Sequence, residues 1–146
     1  MKSKLTASFL FVSGLLLLGI GSAILFAPEA FHASNGIELE ENSSLLSEVR
    51  APGGLLAASA LLILYGAFRQ EFRPQGMLVA TFVYGSFGLA RLVGMVLDGM
   101  PSGGIVGATV LELIVAALGL AILKKQCRST TAAALTEQPN TPVATN

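Results

Sequence analysis

Residues 5–27 read LTASFLFVSGLLLLGIGSAILFA, an apolar stretch without a single charged side chain. An α-helix rises about 1.5 Å per residue, so this stretch more than covers the ~30 Å hydrocarbon layer of a bilayer. It therefore predicts a membrane-spanning helix. A cleavable signal peptide is the alternative, because Lys2 and Lys4 precede the stretch. Secretory apolar cores are shorter, about 7 to 15 residues, so we expect the segment to be retained.

Three further apolar stretches follow, at residues 53–68, 76–97 and 103–123. The first of these is short, and we expect its helix to begin near Ser44 and to continue through Pro52 with a kink. The other two are interrupted by one charged residue each, Arg91 and Glu112. The predicted fold class is all-α, an integral membrane four-helix bundle. Its helices are expected over about 5–27, 44–68, 76–98 and 103–124.

The chain divides into two parts by composition. Residues 1–127 hold all four apolar stretches and predict a single transmembrane domain. Residues 128–146 are rich in Ala, Thr and Pro and contain no long apolar run. This composition is typical of a disordered segment, and we expect a disordered cytoplasmic tail.

Overall composition excludes several classes of protein. Hydrophobic residues make up 53% of the 146 residues and charged residues only 12%, which is unlike a soluble domain. Nine basic residues balance nine acidic ones, so no cationic field exists to hold nucleic acid. One cysteine and one histidine leave no disulfide framework and no Cys/His ligand set. We expect no metal and no cofactor.

The distribution of Lys and Arg predicts the orientation. Seven basic residues flank the apolar stretches on one side: Lys2, Lys4, Arg69, Arg73, Lys124, Lys125 and Arg128. Only Arg50 flanks them on the other side. Basic loops resist translocation, so both termini are expected in the cytoplasm and residues 28–50 outside. The expected location is the inner membrane of a bacterium, with the lipid bilayer as the main partner.

Two charges lie at membrane depth. Arg91 is seven residues, or about 10 Å, from the outer end of the third helix near Asp98. Glu112 is eight or nine residues, or about 12 to 13 Å, from the start of the fourth helix. A connection as short as Gly99 to Gly103 makes the two helices antiparallel neighbours. Charges in hydrocarbon need partners, so an ion pair between Arg91 and Glu112 is predicted.

Other polar residues are expected near this pair. The candidate ligand-binding cluster comprises Glu48, Arg50, Arg91, Asp98 and Glu112. Tyr65 and Tyr84 are secondary candidates, at one deeper level, with hydroxyl groups available as hydrogen-bond partners. For each of these residues a purely structural role is the alternative. Arg91 and Glu112 would then only fix the register of two helices.

Small residues predict where helices approach closely. Ser86, Ala90 and Gly94 recur every four residues on the third helix, and Gly103 and Gly107 form a GxxxG pattern on the fourth. Such residues let helix backbones come close together in a membrane.

Four short motifs resemble one known family. They are APEAF at 27–31, SEVRAPGGL at 47–55, GLARLVGMVLDGMPS at 88–102 and VLELI at 110–114. In this order they are similar to the small membrane proteins grouped as domain of unknown function 4345, over roughly residues 8–125. The resemblance implies a four-helix bacterial membrane protein in which the polar cluster belongs to the family pattern. It implies no activity.

Three classes of function remain open from the sequence. The leading hypothesis is a non-enzymatic membrane protein whose outward polar cluster organises the bundle or binds a small molecule or lipid headgroup. A small transporter or a component of a proton-coupled pathway is the first alternative, and it needs a carboxylate that changes protonation. A membrane enzyme acting on a lipid or quinone is the second. A second copy of the chain and another membrane protein are the partners considered besides lipid.

Overall fold

The computed structural model describes the backbone of residues 2–136 and the side chains of residues 4–125. Within these residues every regular element is helical. The long helices are α1 (Lys2–Phe26), α3 (Ser43–Phe68), α4 (Arg73–Asp98) and α5 (Gly103–Thr136). A short helix, α2 (Pro28–Ala33), follows α1, and a 3-10 turn (Gln70–Phe72) joins α3 to α4. The all-α prediction is confirmed.

Four segments of these helices are long and apolar enough to cross a membrane. They are Lys4–Phe26, Ser43–Phe68, Gln70–Asp98 and Gly103–Lys125. Their number and positions agree with the four apolar stretches in the sequence. The helices also leave large apolar side chains exposed on their outer faces, among them Phe26, Phe82 and Val96.

Helix α3 begins at Ser43, about three turns before its apolar run at 53–68, and contains Pro52, as the sequence predicted. Its N-cap is Asn42, whose Oδ1 accepts hydrogen bonds from the backbone N–H groups of Ser44 and Leu45. An asparagine at this position satisfies two of the four orphan donors of a helix start. The early cap explains why the helix can begin well before the proline. Proline removes one internal hydrogen bond, but the turns on both sides stay helical.

Helix α5 corrects one boundary. It was expected to end near residue 124, with disorder from residue 128, but it continues to Thr136. The extension contains Ala132, Ala133 and Ala134 and no Gly or Pro, so helix propagation meets no local obstacle. The rest of the predicted tail, residues 137–146, lies outside the described residues.

Helices α1 and α3 pack most closely, and glycines permit the approach. A Cβ built on Gly21 would lie 2.6 Å from the backbone nitrogen of Ala57, and one on Gly53 would lie 2.8 Å from that of Leu25. At the other end of α3, Gly66 meets Gly76 of α4, with their backbones in contact. Only glycine fits at such crossings because any side chain would force the helices apart.

The small residues singled out in the sequence do not make these contacts. A Cβ on Gly103 or Gly107 would meet nothing within 4 Å, and one on Gly94 would meet only Asp98 of its own helix. Ser86 and Ala90 are exposed. The prediction of close approach at these positions is wrong within the described chain, because these faces of α4 and α5 have no neighbouring helix.

Three buried or partly buried hydroxyl groups hydrogen-bond within their own helices. Ser13, Thr81 and Thr109 each donate to a carbonyl oxygen four residues earlier, at 2.7, 2.8 and 2.9 Å. In an apolar environment this local bond avoids the cost of an unpaired polar group. The hydroxyls therefore need no partner from another helix.

Candidate binding site

The ion pair predicted between α4 and α5 is present. Nε of Arg91 donates a hydrogen bond to Oε1 of Glu112 at 3.3 Å and lies 3.2 Å from Oε2. The side chain of Glu112 is 13% exposed and that of Arg91 is 33% exposed. Helix α4 ends at Asp98 and α5 begins at Gly103, so both side chains lie about 10 to 14 Å from those helix ends.

A glycine next to the pair brings the two helices together. Gly88 lies one turn before Arg91, and a Cβ on it would lie 2.8 Å from the side chain of Leu113 and 3.4 Å from Cβ of Glu112. With a larger residue at position 88, the Leu113 side chain of α5 would have to shift. The close approach allows the Glu112 side chain to reach the guanidinium of Arg91.

The pair is incompletely hydrogen-bonded. Oε2 of Glu112 is buried, and its polar contact among the described residues is the 3.2 Å approach of Arg91 Nε, although a carboxylate can accept about four hydrogen bonds. Arg91 donates from Nε to Glu112, and within residues 4–125 its Nη1 and Nη2 groups donate to no other side chain or backbone group. The Glu112 carboxylate, which can accept further hydrogen bonds, therefore lies next to a guanidinium with unused N–H donors.

Tyr84 lies on the same helix and is 2% exposed. Its hydroxyl donates a 2.7 Å hydrogen bond to the carbonyl oxygen of Ser13 in α1. This bond holds α1 against α4 on the side of α4 that also carries Arg91. The sequence makes this hydroxyl a secondary candidate for binding a ligand. In the structure, however, its proton is donated to the Ser13 carbonyl oxygen of α1.

A cavity of about 50 Å³ adjoins the pair. Its polar lining residues are Tyr84, Arg91 and Glu112, and the other lining residues are apolar: Leu17, Ile20, Ile24, Leu56, Val83, Phe87, Ala108 and Leu111. The space is large enough for small polar groups, since one water needs roughly 10 to 15 Å³ of such volume. The cavity therefore joins an apolar wall to an unsatisfied ion pair.

The cavity lies where α1 and α5 face each other without packing closely along their lengths. It is partly open beside Leu111, which is 40% exposed, and Arg91. Farther along α5 the space is filled, because Gly119 lies against Oγ1 of Thr81 and the ring of Phe9. No residue of α5 beyond Glu112 lines the cavity among the described residues.

Arg50 has a different partner from the one expected. Its Nη1 donates a 2.6 Å hydrogen bond to the carbonyl oxygen of Leu25 in the last turn of α1. The last carbonyls of a helix lack intrahelical donors, and a cation there also interacts favourably with the helix dipole. Arg50 therefore caps α1 and fastens it to α3.

The remaining candidates do not join the pair. Glu48 and Asp98 are exposed and form no ion pair among the described residues. Tyr65 is 46% exposed, with its ring centroid 4.9 Å from that of Phe72 in the turn before α4. Of the five residues in the predicted cluster, the structure pairs Arg91 with Glu112. Their role in binding a ligand stays a prediction.

Several residues that form the site were not candidates from the sequence. The apolar wall from α1, formed by Leu17, Ile20 and Ile24, and the acceptor carbonyl of Ser13 carry no signal that separates them from other apolar helix positions. Among the residues that the structure describes, no group of three or more His, Cys, Asp or Glu side chains is placed to hold a metal ion.

These observations define a class of protein: all-helical, with four helices long and apolar enough to span a membrane and an ion pair between the last two. A family model described as "Domain of unknown function (DUF4345)" matches residues 5–123. The chain therefore belongs to this family, and the resemblance noted in its motifs is confirmed. No curated protein and no solved structure matches the chain.

Proposed function

We propose that the chain is a non-enzymatic integral membrane protein that binds a small molecule or lipid headgroup at the Arg91–Glu112 pair. The observation that carries this proposal is the buried carboxylate of Glu112, which lines a cavity and receives one hydrogen bond. Buried polar groups are normally satisfied, and a shortfall in a cavity points to a missing partner. A ligand in the cavity supplies that partner.

Insertion into a membrane is supported by the outer faces of the helices. Val96 is 83% exposed, Phe26 and Leu97 are 76% exposed, and Phe82 is 74% exposed. An apolar surface of this extent is stable only against lipid or another protein. We propose the inner membrane of a bacterium, with both termini in the cytoplasm and α2 outside, from the asymmetry of Lys and Arg.

The pair then lies in the outward half of the membrane. Helix α4 has 26 residues, or about 39 Å of length, so it exceeds a ~30 Å hydrocarbon layer by a few ångströms at each end. Arg91 would lie roughly 6 Å inside the hydrocarbon boundary in that arrangement. At this depth the pair also has a structural role, because separating either charge from its partner exposes it to lipid.

Binding is better supported than transport. A transporter needs a path from the pair to both aqueous sides, but Phe9 and Thr81 fill the space at Gly119 on the inward side of the cavity. The side chains that line the cavity beyond the pair are apolar apart from Tyr84. With the proposed orientation, we infer a site that is closed toward the cytoplasm and reached from the outer half of the membrane.

The test fills the cavity without altering the charges. Ala108→Phe places a ring in the cavity, and Ala117→Phe places the same ring on an exposed position of the same helix. Each protein is purified in a mild detergent, and small molecules in the extracts are identified by mass spectrometry. We expect a species that accompanies the wild type and Ala117→Phe but not Ala108→Phe. Identical extracts from all three proteins would contradict the proposal.

A further inference from the structure

We propose that the ligand is a neutral amphiphile with a free hydroxyl group at the top of one acyl or isoprenoid chain. This inference rests on the proposed binding function and names the chemical class of its ligand. The cavity of about 50 Å³ brings together the carboxylate of Glu112, the guanidinium of Arg91 and an apolar wall. Each of these three features restricts what can bind.

The carboxylate requires a hydrogen-bond donor. Ionised Glu112 has acceptors only, and the donor that approaches its two oxygens is the single Nε–H of Arg91, at 3.3 and 3.2 Å. Within the described residues no second donor reaches it besides Nε of Arg91. An ester carbonyl or an ether therefore cannot satisfy this group. A hydroxyl, amide or ammonium group can.

The guanidinium requires an acceptor and disfavours a cation. Arg91 has five N–H donors and uses Nε on Glu112. An ammonium group beside it would add a second positive charge, and a phosphate beside Glu112 would add a second negative charge. The pair is neutral as a unit, so a neutral ligand leaves no uncompensated charge in a low-dielectric site. A hydroxyl group donates to the carboxylate and accepts from the guanidinium at once.

The wall and the size of the cavity specify the rest of the molecule. Leu17, Ile20 and Ile24 of α1 face Ala108 and Leu111 of α5 across the space. The volume equals that of about three or four waters on the measure of roughly 10 to 15 Å³ each, which suits a hydroxyl with its first carbons. The opening beside Leu111 and Arg91 lets the remaining chain lie along the outer faces of α1 and α5, in contact with lipid.

Long-chain probes with and without a free hydroxyl group test this requirement. The full chain in detergent is titrated with oleyl alcohol, with 1-monooleoylglycerol and with oleyl methyl ether, while thermal unfolding is monitored. The ether enters micelles much as the alcohol does, but it has no proton to donate. At about ten times the dissociation constant we expect a rise in Tm of about 3 °C or more with an alcohol and none with the ether. The two alcohols distinguish a simple long-chain alcohol from a glyceride as the source of the hydroxyl.

Two pairs of variants locate the effect. Glu112→Gln replaces a charged acceptor by a neutral one, and we expect it to bind the alcohols about tenfold more weakly. Asp98→Asn makes the same change at an exposed carboxylate outside the cavity and should bind like the wild type. Ala108→Phe should abolish the response, and Ala117→Phe should keep it. Because the ether comparison uses the wild-type protein, it remains decisive even if Glu112→Gln fails to fold.

The outcomes separate this inference from the proposed function. Equal stabilisation by alcohol and ether, lost in Ala108→Phe, would overturn the hydroxyl requirement and leave a binding cavity in place. No response to any probe, together with a species of another chemical class lost from Ala108→Phe extracts, would likewise overturn only the ligand class. No response and identical extracts from all variants would overturn both proposals.

Discussion

The hydroxyl of Tyr84 donates a 2.7 Å hydrogen bond to the carbonyl oxygen of Ser13, and this bond joins α4 to α1 in the protein interior. The two residues are far apart in the sequence. They come together because α1 and α4 both pack against α3 and also meet each other. The bond forms one side of the cavity whose other polar groups are Arg91 and Glu112. The stability of the site therefore depends on α1 as well as on the ion pair.

Removal of this hydroxyl should destabilise the protein moderately. Tyr84→Phe deletes one buried hydrogen bond and is expected to lower the free energy of unfolding by about 0.5 to 1.5 kcal/mol. The Ser13 carbonyl keeps its intrahelical donor, so no buried acceptor is orphaned. The free energy is measured by SDS titration in detergent micelles. Tyr65→Phe is the control, because Tyr65 is 46% exposed and should change stability by less than about 0.5 kcal/mol. Equal effects of the two changes would refute the assignment.

The crossing of α1 and α3 should be sensitive to a single methyl group. Gly21→Ala places a Cβ 2.6 Å from the backbone nitrogen of Ala57, so the two helices must separate. We expect a loss of about 1 to 3 kcal/mol in the same titration, the usual cost of overpacking. Gly19→Ala lies on the same helix with nothing within 4 Å of the new methyl group. It should be neutral or stabilising by up to about 1 kcal/mol. A loss at position 19 as large as that at position 21 would contradict this packing.

Orientation in the membrane can be tested with the one native cysteine. Cys127 follows Lys124 and Lys125, which the proposed topology places in the cytoplasm, and Glu38 lies in the connection between α2 and α3. We expect a membrane-impermeant maleimide to label Glu38→Cys, in a Cys127→Ser background, on intact bacterial spheroplasts. The wild-type Cys127 should react only after lysis. Labelling of Cys127 on intact spheroplasts would reverse the proposed topology.

The positions of Arg91 and Glu112 along their helices were predictable from the sequence, because they depend on counting residues. The rise per residue placed Arg91 and Glu112 at matching distances from the ends of their helices, and the short connection made those helices neighbours. The same reasoning predicted that α3 begins before Pro52 and continues through it. These predictions need only helical geometry and the cost of an isolated charge in hydrocarbon.

Which face of each helix is buried was less predictable from the sequence. The face of a helix that is buried depends on which neighbours the fold supplies, and the sequence of one helix does not specify them. Arg50 was assigned to the polar cluster, but it reaches the carbonyl oxygen of Leu25. Gly103 and Gly107 have the spacing of a contact motif, but they meet nothing within 4 Å. The cavity was missed for the same reason, because its wall combines ordinary apolar residues from four helices.

A double-mutant cycle on Arg91 and Glu112 tests the central claim most directly. Removing one partner of a fully buried pair costs about 3 to 5 kcal/mol, and partial exposure of Arg91 reduces this to about 1 to 3 kcal/mol. The cycle compares Arg91→Gln, Glu112→Gln and the double change by SDS titration. We expect the double change to cost at least about 0.5 to 1 kcal/mol less than the sum of the single changes, because it leaves neither charge unpaired. Strictly additive losses, or single changes without effect on stability, would show that the two charges do not depend on each other.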